Sequence, residues 1–179
     1  GGAQADVVIL GVGGVDAAAE AAFLAAGAQS VSQLAITQAN ADTQAVFDQV
    51  TAADIVWMRG GDQWRYVNWW GGTRTEDAIR AVFAGGGVVG GTSAGCAVLG
   101  EVIYDARNGT VYSDEALQDP YIQYMTFSTG VFELGAGTIF DTHFTERGRV
   151  GRLTSMVGRL HEELGLDLVG IGVDDRTAL

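Results

Sequence analysis

The sequence predicts an α/β fold, an open and mostly parallel sheet with helices on both faces in three αβα layers. Three observations predict it. Apolar runs of strand length alternate with segments of helical period along the chain. Most of these runs are continuously apolar, as strands buried on both faces are. One of them leads into Gly91-Thr92-Ser93-Ala94-Gly95 and then into Cys96-Ala97-Val98-Leu99. That order of strand, sharp turn and helix is the setting in which flanking glycines expose a serine hydroxyl above a sheet.

The elements follow in order. Residues 6–10 read as a strand, and Gly11-Val12-Gly13-Gly14 as a turn, because Asp16 occupies the last glycine position of a dinucleotide-binding G-x-G-x-x-G. Residues 15–26 read as a helix, 33–37 as a strand, 43–50 as a helix and 54–58 as a strand. Arg59-Gly60-Gly61-Asp62-Gln63 then places a glycine pair at a strand end, where a backbone amide can approach a substrate closely. Trp64, Tyr66, Trp69 and Trp70 have helical spacing, which favours core packing or an oligomer contact over a pocket lining and leaves a homodimer open. Residues 75–84 read as a helix and 87–90 as a strand. The interval 101–137 is less regular, with turn residues at Asn108-Gly109 and the only proline at Pro120, and reads as an excursion beside the site. Residues 138–140 form a short strand, 146–164 a long helix and 169–173 the last strand. The long helix carries Val150, Leu153, Val157, Leu160 and Leu164 as its apolar stripe, with Arg149, Arg152 and Arg159 off it. Without an internal repeat or a low-complexity linker, 1–179 is expected to be a single domain.

Composition narrows the function classes. The chain is 47% hydrophobic, enough to bury a core, and its net charge of −12 argues against nucleic acid or an anionic membrane as a partner. All ten basic residues are arginine. Neither a membrane span nor a signal peptide is expected, because no apolar run reaches about eighteen residues and no basic n-region precedes an apolar h-region. The single cysteine, Cys96, leaves the compartment undecided between cytoplasmic and secreted, and it reads as a small packed residue three positions beyond the serine. No His, Cys or carboxylate set has metal-ligand spacing, so neither a metal nor a cofactor is expected.

Serine alone is a poor nucleophile, so Ser93 requires a base and a group to orient it. Of the two histidines, His143 follows the strand 138–140 and falls at a carboxyl end, where ligands of such sheets gather, whereas His161 lies among acidic neighbours on the long helix. His143 is the expected base. Asp174 and Asp175 follow the last strand, and either could hold the imidazole; a turn-capping pair is the competing reading. Oxyanion donors are expected at the Ala94 amide, which follows the nucleophile, and at Gly60 and Gly61.

Four segments in order, Arg59-Gly60-Gly61-Asp62-Gln63, Gly91-Thr92-Ser93-Ala94-Gly95, the run from Asp141-Thr142-His143-Phe144 through Arg147, Arg149 and Arg152, and Gly170-Ile171-Gly172-Val173-Asp174-Asp175, resemble the signature segments of cyanophycinase-like serine peptidases, relatives of aspartyl dipeptidase (dipeptidase E). The resemblance spans nearly the whole chain. It implies a class I glutamine amidotransferase-like (flavodoxin-like) fold, with Ser93 as nucleophile, His143 as base and Asp175, ahead of Asp174, as the orienting acid. It also implies that Gln63, Asp141, Thr142, Arg147, Arg149 and Arg152 bind or order a small peptide with an aspartyl or β-aspartyl carboxylate. Guanidinium forks suit that role because they bind carboxylates bidentately. The chain departs from the family at Thr142, where glutamine is usual, and at Asp175, where glutamate is usual. Relative to the family it is expected to be shortened at both ends, with terminal strands missing. The expected activity is serine-type hydrolysis of peptide or isopeptide bonds; the alternatives are a catalytically silent binding or assembly module on the same scaffold and a serine acyl-ester hydrolase.

Overall fold

In the computed structural model, which describes residues 4–179, the first apolar run forms β1 (Asp6–Gly11), with Val7, Val8, Ile9 and Leu10 all buried. Asp16 closes the next turn by accepting from the Ala19 amide at 2.9 Å, which starts α1 (Ala17–Ala25) by satisfying an amide the helix itself leaves unpaired. The chain continues through β2 (Ser30–Ala35), α2 (Gln44–Thr51), β3 (Ile55–Met58), the short α3 (Gln63–Arg65), a π-helical turn over Tyr66–Trp70, α4 (Arg74–Ala84) and β4 (Val88–Gly91). β2 begins three residues before the apolar signal does. It is an edge strand in which Ser30 and Ser32 alternate with Val31, and Ser30 Oγ donates to Asp6 Oδ1 of β1 at 2.5 Å.

The four strands pair in parallel in the order β2-β1-β3-β4, which is the flavodoxin-like order. The chain steps to one side of β1 and then returns past it. With right-handed crossovers that reversal puts α1 on one face and α2 and α4 on the other, where α2 and α4 pack together. The reversal also leaves a crevice at the carboxyl ends of β1 and β3, the position at which such sheets carry ligands.

These elements make one compact unit ending at Cys96, and a second begins at Ala97. The boundary falls inside α5 (Ala94–Ala97). In the second unit β5 (Val102–Tyr104) pairs antiparallel with β6 (Phe127–Thr129), and β7 (Thr138–Thr142) pairs in parallel with β8 (Val169–Val173). α6 (Ser113–Gln118) packs on α7 (Val150–Leu164) over a core that includes Val102, Tyr104, Met125, Ile139, Leu153, Met156 and Leu160. Both units are α/β; the four-stranded sheet of the first is wholly parallel, and the second carries one antiparallel and one parallel strand pair. No helix among the described residues is long and apolar enough to cross a membrane.

Two features of the second unit differ from expectation. The interval 101–137 is ordered by β5, α6 and β6, and its antiparallel strand pair is fixed by the fully buried Asp105, which accepts from Arg107 N at 3.0 Å, from Ser128 Oγ at 2.6 Å and from Thr126 Oγ1. Arg159 ties the same interval to α7. It donates to the carbonyls of Pro120 and Met125 at 3.0 and 2.9 Å and lies over the rings of Tyr121 and Phe127, besides pairing with Glu163. Second, α7 starts at Val150, not at 146, and its buried face is Arg152, Leu153, Ser155, Met156 and Leu160. Val150 and Leu164, expected on the apolar stripe, are 59% and 58% exposed. The helix is turned so that Arg152 reaches inward to a buried carboxylate.

Candidate active site

In the first unit, β4 ends at Gly91 and α5 begins at Ala94, so Thr92 and Ser93 make the whole turn. Ser93 has φ +52°, a left-handed conformation that costs a side-chain-bearing residue about 1–3 kcal/mol. The flanking glycines are sterically required. A Cβ on Gly91 would stand 2.5 Å from the Gly95 carbonyl carbon and 2.8 Å from Met58 O, and one on Gly95 would stand 2.6 Å from Arg59 O. The turn is thus pressed onto the end of β3, where Thr92 N donates to Met58 O at 3.0 Å. Gly60 packs against the serine itself: a Cβ there would lie 3.3 Å from Ser93 Cβ and 3.7 Å from its Oγ. Gly61 follows at φ +150°, Ala94 is buried at the start of α5, and Gln63, half-buried, opens α3 behind the Asp62 cap. Burial pushes the Cys96 thiol up to about 11, so it stays protonated at neutral pH and is no activated thiolate.

In the second unit, His143 follows β7 directly, at φ +49°, and its Nδ1 lies 2.5 Å from Asp175 Oδ1. Asp174 has a different partner, accepting from Thr145 N at 2.8 Å. Phe144 N donates to Val173 O at 3.2 Å and Asp175 N to Glu146 Oε1 at 3.0 Å, so the two strand-end loops are laced together around the imidazole. Glu146 was not singled out from the sequence, where it is one acidic residue among twenty-two. His161 is exposed and pairs with Asp167 at 3.0 Å.

Asp141, in β7, is buried and is gripped by two arginines. Arg152 donates to it bidentately, Nε to Oδ2 at 2.7 Å and Nη2 to Oδ1 at 2.6 Å, and Arg149 Nη1 adds a third bond at 3.1 Å. Arg152 spends Nη1 on Thr110 Oγ1 and Val111 O, at 3.2 and 3.1 Å, and lies 4.9 Å over the Tyr104 ring. Arg149 also donates to the carbonyl of buried Thr142. Burial, helped by the positive charge of Arg152, lowers the Arg149 pKa, and Asp141 opposes the shift. Arg147 is exposed. The three arginines line a cavity of about 430 Å³ with Thr110, Val111, Tyr112 and Ser113. The resemblance implies that all three bind or order substrate; the guanidinium of Arg152 is committed to internal acceptors. Among the described residues no group of three His, Cys, Asp or Glu side chains could hold a metal ion.

These local arrangements can be set beside known proteins. Cyanophycinase from Synechococcus elongatus is 29% identical over 141 residues, covering 78% of this chain and 40% of that protein. Cyanophycinase from Geminocystis herdmanii (strain PCC 6308) is 33% identical over 137 residues, 76% of this chain and 44% of that protein. The match therefore spans less than half the length of these relatives. The crystal structure of a peptidase from an acI-B1 actinobacterium superposes with a TM-score of 0.63 at 17% identity, over 94% of this chain and 66% of that one, which shows a shared fold. The sequence pattern of peptidase family S51 matches residues 14–179, and over that length the chain belongs to peptidase family S51.

Proposed function

We propose that the chain is a serine-type peptidase that hydrolyses peptide or isopeptide bonds of aspartyl or β-aspartyl, cyanophycin-like peptides through an acyl-enzyme on Ser93. The observation that carries this reading is Ser93 itself, held left-handed on a strand-to-helix turn with the Gly60 backbone against its side chain. Family membership and relatives named cyanophycinase support the reaction class.

In this reading the Ser93 hydroxyl attacks the scissile carbonyl and its proton passes to His143 Nε2. That nitrogen is the acceptor because Nδ1, turned to Asp175, carries the other proton. The carbonyl oxygen becomes an oxyanion, stabilised by the amides of Gly60, Gly61 and Ala94. Collapse breaks the C–N bond and the leaving amine takes the proton from His143; water then repeats the sequence on the ester. Arg147 and Arg149 receive the aspartyl carboxylate in the cavity, while Arg152 holds Asp141 and Gln63 helps order the peptide.

Two results test the assignment of roles. Asp175→Asn is expected to lower kcat by about 10²–10⁴-fold, because the amide no longer stabilises an imidazolium or fixes its tautomer, whereas Asp174→Asn should keep most of the activity. Equal losses in steady-state assays of the two variants would remove the distinction. Arg147→Ala is expected to raise KM for α- and β-aspartyl dipeptides about tenfold with kcat unchanged, since it removes a charge-assisted contact remote from the reacting bond. A KM equal to that of the parent protein would place the carboxylate elsewhere. The substrate class itself is tested by amine release from aspartyl against alanyl dipeptides, and no preference for aspartyl would overturn it.

A further inference from the structure

Tyr66 is fully buried, and a buried phenol needs a hydrogen-bond partner. It donates to the backbone carbonyl of Arg59 at 2.7 Å, seven residues back. Arg59 N is already fixed on the other side by its bond to Leu10 O at 2.9 Å, and the Arg59 guanidinium reaches the carbonyls of Gly13 and Gly14. The Arg59 carbonyl and the Gly60 N–H are two ends of one planar trans peptide and point to opposite sides of it. Whatever holds the carbonyl therefore sets the direction of the amide. Gly60 has no side chain to restrain that plane, and its backbone lies against Ser93.

We propose that Tyr66 is a positioning residue that locks the Arg59–Gly60 peptide plane, so that the Gly60 N–H is aimed at the oxyanion formed when Ser93 attacks; this rests on the reading of Ser93 as nucleophile. The phenol is itself well anchored. Its ring stands edge-to-face on Trp70, with centroids 4.4 Å apart, and Trp70 Nε1 donates to Ile36 O at 3.2 Å. Both aromatics belong to the π-helical turn that follows α3, so the turn carries the support from the end of β2 to the glycine pair. Burial raises the Tyr66 pKa far above its ordinary value, which keeps the phenol a donor across the whole working range.

The test compares Tyr66→Phe with the parent protein and with Val50→Ala, a buried position in α2 that lowers stability without touching the glycine pair. A fluorophosphonate places a phosphoryl oxygen where the oxyanion would form, so its rate of covalent inactivation reads the donor directly. Tyr66→Phe is expected to slow inactivation about tenfold or more and to lower kcat alongside, with KM for an aspartyl dipeptide within about twofold. Val50→Ala is expected to react at the parental rate despite a lower Tm. The proposal is overturned if Tyr66→Phe reacts at the parental rate, or if Val50→Ala loses as much. A parent protein that takes no adduct would sink the reading of Ser93 and the role of Tyr66 together, an outcome distinct from the first because the parental reaction itself is missing.

Discussion

Ser93→Ala is expected to abolish covalent labelling by a fluorophosphonate and to lower peptide hydrolysis by about 10⁴–10⁶-fold while leaving the fold intact. The chemistry demands the size of the effect. In the proposed mechanism no acyl-enzyme forms without the hydroxyl, and what would remain is the stabilisation that the amides of Gly60, Gly61 and Ala94 give to direct attack by water. Stability should change by no more than about 0.5 kcal/mol, since the side chain is small and the left-handed backbone is equally strained for alanine. If His143 is the base proposed for Ser93, His143→Ala is expected to lose labelling and hydrolysis alike, because a serine without a base is unreactive at neutral pH. Intact-mass spectrometry of the parent protein and the two variants reads this directly. One adduct on the parent and none on either variant is the expected result, and an adduct that persists on Ser93→Ala would move the nucleophile to another residue.

Asp141→Ala is expected to be the most destabilising single change in the second unit, by about 3–5 kcal/mol. The side chain is 4% exposed and pairs with two guanidinium groups, one of them 4% and the other 13% exposed. Removing the carboxylate leaves Arg152 buried with only Thr110 Oγ1 and Val111 O as acceptors, and an ion without its counter-ion in a low-dielectric setting carries its full desolvation cost. Replacing both members, Asp141→Leu with Arg152→Met, is expected to recover much of the loss, because no unpaired charge remains in that pair. Urea unfolding followed by fluorescence gives the three values. If Asp141→Ala cost under about 1 kcal/mol, water would have to reach Arg152, and the account of α7 as a helix turned inward by this pair would fall.

Local patterns were legible in the sequence, and long-range pairings were not. Continuous apolar runs mark β1 and β3 because those strands lie in the interior of their sheet; β8 carries such a run too, although Val169 at its start is 62% exposed. β5 and β6, three residues each, are too short to carry a period, and the carboxylate that fixes them, Asp105, is bonded to residues some twenty positions away. Arg152 illustrates the same limit. A charged residue beside an apolar stripe reads as a surface residue, since arginine is seldom buried unless paired, and the partner belongs to a different element. At the site, the glycine-flanked turn announces Ser93 because strand, turn and helix are consecutive in sequence. Asp174 and Asp175 are neighbours of the same type, and nothing local separates them; the bonds to Thr145 N and to the His143 ring do. Tyr66 gave no functional signal because its contact is to a backbone carbonyl, which no residue pattern records.

The strand order β2-β1-β3-β4 has a kinetic consequence. β1 is made before either of its neighbours, which arrive only after a helix each, so Val7 waits for Val31 on one side and then for Ile55 on the other. Until Ile55–Met58 has emerged, Val7-Val8-Ile9-Leu10 is an uncharged, strongly β-forming run with at least one edge unpaired. Such a run is the kind that associates with its copies on neighbouring chains. Asp6, at the head of the strand and bonded through its carboxylate to Ser30 Oγ, is placed to act as a gatekeeper against that association. The residue that closes the first strand pair in the finished sheet thus also guards the nascent chain while the sheet is still open.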